Sequence, residues 1–103
     1  MTSQKIPDSL RRLAPELADI SEQLLFGNIW QRPGLSARDR SLITVATLAA
    51  LGRLPQLRWH IAFARQNGVT PDELSELFTH LAFYAGWPAA VSGLDCMMDG
   101  EYD

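Results

Sequence analysis

The segment between Ser36 and Gly52 constrains the fold more than any other part of the chain. Leu42, Ile43, Val45, Ala46, Leu48, Ala49 and Leu51 recur there at helical spacing and cover most of the circumference of one helix. A helix that is apolar nearly all round must be covered on nearly all sides. A chain of 103 residues is expected to form one domain, with little material to cover it alone. Subunit contacts are therefore expected to complete the burial. Ala46, Ala49 and Ala50 would permit a second helix to approach closely. The same segment is too short for a membrane span, and Thr44 and Thr47 interrupt it.

The remaining periodic segments are also helical, and none shows a sustained two-residue alternation. A first helix is expected over residues 8–13. A second begins at Pro15, a favoured first-turn residue, and carries Leu17, Ile20, Leu24 and Leu25 on one stripe until Gly27 ends or bends it. Residues 31–35, with Pro33 and Gly34, read as a loop. Ser36 and Asp39 stand three apart at the start of the third helix, in a capping-box-like arrangement. Gly52 closes that helix and Pro55 opens the next, whose stripe is Leu57, Ile61 and Ala64. Gly68 sits at a C-terminal cap position. Thr70, Pro71 and Glu73 then give the strongest helix start in the chain. Leu74, Leu77, Phe78 and Leu81 follow as the core stripe of that fifth helix. Gly86 stops it, and Pro88 opens a sixth through Met98. The fold class is all-α: a compact bundle of about six helices in a single domain, 1–103, completed by oligomerisation. The polar tail, 99–103, is expected to fray.

The net charge of −3 and pI near 5.2 give no electrostatic footprint for nucleic acid or an anionic membrane. Neither is expected as a partner. The first twelve residues contain no apolar run suited to a signal peptide, so a cytoplasmic protein is expected. The single cysteine, Cys96, cannot form an intrachain disulfide and reads as a packed or incidental thiol. No phosphate-binding glycine loop, nucleophile elbow or metal-ligand spacing occurs, and no metal is expected.

Two histidines could carry chemistry. His60 lies three residues after Leu57 and one before Ile61, on or beside the apolar stripe. It is either a core histidine with one hydrogen bond or an imidazole whose pKa is set by burial. His80 follows Glu76 by four residues and precedes Tyr84 by four. Glu73, Glu76, His80 and Tyr84 thus form a polar ribbon, which is either a solvated face or a place where Glu76 orients His80 and Tyr84 reaches a ligand. Arg38 and Arg40 flank Asp39. They serve surface ion pairing, or one of them recognises a carboxylate; Arg40, nearer the apolar body of the helix, is the better candidate. Trp30, Trp59 and Trp87 are core, interface or ligand-wall aromatics.

The stretches LSARDRSLITVATLAALG, QLRWH, NGVTPDELSEL and HLAFYAGWPAA together resemble the carboxymuconolactone decarboxylase family, whose relatives include alkylhydroperoxidase D-like enzymes. The resemblance covers about residues 35–95, so the expected organisation is an N-terminal helical arm, 1–34, and a family-like core, 35–98. It implies an all-helical subunit forming a homotrimer or homohexamer, with cavities near the subunit contacts. The peroxidase branch carries a Cys-x-x-Cys-x-x-x-His motif. Here His60 holds the histidine position, but Arg53 and Gln56 hold the cysteine positions, and Ser41 stands where the proton-relay glutamate is expected. Arg53 and Gln56 supply neither thiolate nor disulfide, so peroxidase and disulfide-reductase chemistry are not expected.

The thiol-free branch includes enzymes that decarboxylate a carboxylated lactone of aromatic-compound catabolism. It needs no cofactor, because the substrate is its own electron sink. By this resemblance the chain is a lyase acting on a small anionic organic substrate. His60 is the acid or oxyanion donor, His80 and Tyr84 assist, Arg40 binds a carboxylate, and Trp59 and Trp87 line the site. The alternative is a non-catalytic small-molecule-binding oligomer of the same fold.

Overall fold

The computed structural model describes residues 5–99. The part of the expected tail beyond Asp99 lies outside the described residues. Among the described residues every regular element is helical. Contacts divide the chain into two units, residues 1–36 and 37–103.

The first unit holds α1 (Asp8–Leu13) and α2 (Pro15–Ile20), as the turn signals predicted. The second helix does not continue as a regular α-helix to Gly27. From Ser21 to Phe26 it runs as a π-helix, closed by a Gly27 N–H to Glu22 C=O bond of 2.9 Å. That wider i→i+5 register rotates Leu24 and Leu25 away from the α-helical stripe expected for them. Leu17, Ile20, Leu24 and Leu25 are all exposed. A short 3-10 turn, Ile29–Gln31, places Trp30 in a stack with Phe26, at 6.1 Å between ring centroids.

The second unit is a four-helix assembly: α3 (Ala37–Leu51), α4 (Leu54–Gln66), α5 (Pro71–Ala85) and α6 (Trp87–Asp99). Its core contains Val45, Ala49, Leu57, Ile61, Ala64, Val69, Leu74, Phe78, Ala90 and Cys96. The predicted stripe of α4 is buried residue for residue. On α5, Leu74 and Phe78 are buried, while Leu77 and Leu81 pack at the core margin. Cys96 is a core residue of α6.

Helix ends follow the local chemistry. After α4, the Gly68 N–H donates to Arg65 C=O at 3.1 Å and the Val69 N–H to Ala64 C=O at 3.0 Å. This is a complete Schellman motif, and Gly68 takes φ +98°, which glycine alone adopts without strain. Buried Val69 and Ala64 supply its hydrophobic contact. At α5, Thr70 and Glu73 form a full capping box behind Pro71. Where α5 meets α6, Gly93 lets the helices come close: a Cβ there would lie 2.4 Å from the ring of fully buried Phe78.

The apolar circumference of α3 is not covered within one chain. Ser41, Val45 and Ala49 are buried, but Ile43 is 53% and Leu51 66% exposed. Ile43, Thr47 and Ala50 share one face at i, i+4, i+7, and all three are exposed. Thr47 turns its hydroxyl back onto Ile43 C=O at 2.7 Å, so even the polar member of that face spends its donor locally.

Candidate functional site

The first candidate site is built on α4. Arg53 is its N-cap residue, Gln56 lies in its first turn, and His60 follows one turn later. Residues 53, 56 and 60 therefore share one side of the helix. Arg53 and Gln56 are both exposed, while His60 is half-buried. A thiol at an N-cap would be activated by the helix terminus. A guanidinium there has no such chemistry.

His60 sits among aromatic rings. Trp59 meets it edge-on at 4.8 Å, and Phe63 lies edge-on at 6.1 Å; Trp59 and Phe63 are themselves 4.9 Å apart. Burial in this apolar setting pushes the imidazole pKa from 6.5 down to about 4. His60 is therefore neutral at pH 7: one ring nitrogen carries a hydrogen and the other a lone pair.

The Ser41 position is closed to proton relay. Ser41 is 1% exposed, and its Oγ accepts a 2.9 Å hydrogen bond from Asn67 Nδ2. A small hydroxyl that ties α3 to the C-cap of α4 occupies the place where a titrating carboxylate was the alternative.

The second candidate site is a groove of about 390 Å³ between α3 and α5. Arg38, Glu73, Glu76 and His80 contribute its polar groups, with Leu42 and Leu77 among its apolar lining. Glu73 is doubly engaged. Its Oε1 accepts the Thr70 backbone N–H at 3.0 Å, and its Oε2 accepts from Arg38 Nη2. The Thr70 hydrogen bond first, and the Arg38 charge with it, hold the Glu73 carboxyl below its usual range.

Sequence reasoning and geometry differ in detail here. Glu76 and His80 form no ion pair; His80 instead stacks on Tyr84, at 5.0 Å and 29° between rings. Tyr84 is 80% exposed and Trp87 70% exposed. Arg40 is half-buried and is not among the groove's lining residues, whereas Arg38 is. Glu73 was legible as a cap and as part of the polar ribbon, but not as the partner of Arg38. Its second carboxylate oxygen, free to reach beyond its own helix, was the available signal. His60 and Trp59 lie on α4, and neither lines the α3/α5 groove. Among the described residues, no group of three or more His, Cys, Asp or Glu side chains could hold a metal ion. No described helix is long and apolar enough to cross a membrane.

The described core is all-helical, and α4 carries a half-buried histidine and no thiol. The model of the carboxymuconolactone decarboxylase family matches residues 15–98, and the chain belongs to that family. It is 42% identical over 83 residues to a 4-carboxymuconolactone decarboxylase of Acinetobacter baylyi, covering 81% of this chain and 62% of that protein. It is 30% identical over 111 residues to a nitrosuccinic acid decarboxylase of Metarhizium robertsii, covering 97% and 78%. It is also 29% identical over 89 residues to an uncharacterised 15.0 kDa protein of Paracoccus denitrificans, covering 84% and 66%. The chain thus spans less than two thirds of the Acinetobacter protein. These relatives support a decarboxylase-like family.

Proposed function

We propose that this protein is a cofactor-free carboxy-lyase acting on a small diacid that carries its own electron sink. The observation that carries this reading is His60: an imidazole set against Trp59 and Phe63, with its pKa pushed down to about 4. The substrates named for the two decarboxylase relatives share one chemistry. In 4-carboxymuconolactone the electrons of the breaking C–C bond pass through a double bond to the lactone carbonyl. In nitrosuccinic acid they pass to the nitro group. Each substrate loses one carboxylate and keeps another.

In this reading the carbon–carboxylate bond breaks and carbon dioxide leaves. The electron pair moves to the acceptor oxygen, and a proton from solvent is delivered to carbon. A neutral imidazole is a poor proton source at pH 7 but a good fixed N–H donor. His60 therefore donates a hydrogen bond to the developing oxyanion rather than acting as an imidazolium acid. Trp59 supplies an apolar wall that disfavours charge on the departing carboxylate. Arg40, His80, Tyr84 and Trp87 are secondary candidates for substrate contact. The open face of α3, with Ile43, Thr47 and Ala50, is the surface through which copies of the chain associate as a trimer or hexamer.

The test is carbon dioxide release from 4-carboxymuconolactone and from nitrosuccinic acid by purified protein in the presence of a chelator. Turnover of either substrate well above buffer is expected. No turnover of either would leave the family assignment in place and remove the lyase reading.

A further inference from the structure

The α3/α5 groove contains a cation that is held in place before any ligand arrives. Arg38 donates through Nη2 to Glu73 Oε2. Glu73 cannot swing away freely, because its other oxygen accepts the Thr70 N–H at 3.0 Å while its own N–H donates to Thr70 Oγ1 at 3.1 Å. The α5 capping box thus fixes a carboxylate, and that carboxylate fixes a guanidinium on α3. Among the described residues the further charged partner of Arg38 is Asp39, a loose contact at 3.9 Å from Nη1.

A guanidinium presents five N–H donors in a planar fork. The bond to Glu73 takes one Nη2 hydrogen; both two-pronged sides of a guanidinium, Nε/Nη2 and Nη1/Nη2, share that nitrogen, so its second hydrogen, with Nε–H or Nη1–H beside it, is left for a second carboxylate. Among the described residues Arg38 is the one Lys or Arg lining the groove; Glu76 lines it as a second carboxylate that an incoming anion must be offset against, and Leu42, Leu77 and Leu81 give it an apolar lining. The Glu73 charge is already balanced by Arg38 and lies at the amide-rich start of α5, so it opposes an incoming anion weakly.

We propose that Arg38 anchors the carboxylate that remains on the substrate, and that Glu73 is its positioning residue. This rests on the diacid reading above and deepens it: the leaving carboxylate needs an apolar setting, whereas the retained one needs a cation. The assignment moves the carboxylate contact from Arg40 to Arg38. Specificity for diacids over monoacids then arises in the groove rather than at His60.

The experiment pairs steady-state kinetics with direct binding, using wild type, Arg38→Ala, Arg38→Lys and Glu73→Gln. The binding probe is succinate, a diacid with no electron sink, with succinamide as the uncharged control; both are titrated by heteronuclear NMR. Thermal melts confirm that each variant is folded.

Arg38→Ala is expected to raise KM and weaken succinate binding by about 10- to 100-fold, as befits a lost charge-assisted contact. Its kcat should change far less, because the contact is equally strong in ground and transition states. Arg38→Lys should recover only part of the loss, since an ammonium cannot make the fork. Glu73→Gln keeps an acceptor for the cap and should raise KM by a smaller factor. Succinamide should bind wild type and Arg38→Ala alike.

If wild type turns over a diacid and Arg38→Ala leaves both KM and succinate affinity unchanged, the anchor is wrong and the lyase reading stands. If no diacid is turned over yet succinate binds in an Arg38-dependent way, the anchor stands and the lyase reading falls. If wild type does not distinguish succinate from succinamide, the anchor is overturned.

Discussion

Asn67, the C-cap residue of α4, donates a 2.9 Å hydrogen bond to the hydroxyl of Ser41 on α3. The Ser41 side chain is buried and Asn67 is half-buried, so loss of the hydroxyl removes the acceptor of the Asn67 amide. Ser41→Ala is expected to destabilise the protein by about 0.5–1.5 kcal/mol, the net worth of one hydrogen bond. Urea unfolding checks this. An unchanged midpoint would show that Asn67 finds water or another acceptor.

His60 links stability to pH. Its folded pKa of about 4 lies below the ordinary value of 6.5, so between these values the unfolded chain binds more protons than the folded one. Its contribution is complete above pH 6.5 and is lost as pH falls toward 4. Thermal melts should therefore fall across that window, and His60→Gln should flatten the fall. An NMR titration that places the imidazole midpoint near 6.5 would contradict the burial argument.

Gly93 is a packing requirement rather than a flexible point. A methyl at this position meets the Phe78 ring at 2.4–2.9 Å, and Phe78 has no solvent-facing space to enter. Gly93→Ala raises helix propensity, but overpacking is expected to win by about 1–3 kcal/mol. A Tm at or above wild type would mean that α5 and α6 separate cheaply.

The open face of α3 gives a prediction about assembly. Ile43→Glu places a charge on the face shared by Ile43, Thr47 and Ala50 without touching the core of the unit. Light scattering is expected to show an oligomer for wild type and a smaller species for the variant, with helical content unchanged. A wild-type monomer at micromolar concentration would remove the proposal that α3 is covered by another copy.

Much of the fold was legible because helix ends are local. Thr70, Pro71 and Glu73 specify a start through three neighbouring residues, and Gly68 specifies a stop through one backbone angle. Leu57, Ile61 and Ala64 declared the buried face of α4 by spacing alone. The π register after Ile20 was not legible, since no residue between Ser21 and Phe26 forbids an ordinary α-helix. The candidate sites divide in the same way. The place of His60 beside the α4 stripe was legible, whereas its lowered pKa depends on burial that only the packed structure shows. The preference for Arg38 over Arg40 depends on α3 meeting α5, a contact between residues 35 apart that no local pattern encodes. Ser41 shows the opposite error: its alignment with an absent glutamate suggested a mere loss, whereas the hydroxyl has a structural partner.

The most direct measurement of the central claim is the rate of carbon dioxide release from 4-carboxymuconolactone by wild type and by His60→Ala at pH 7. Wild-type turnover is expected, and the variant should lose about 100- to 1,000-fold in kcat, the usual cost of removing one oxyanion donor, while remaining folded. A His60→Ala protein that decarboxylates at the wild-type rate would contradict the assignment and leave His60 as a packed core residue.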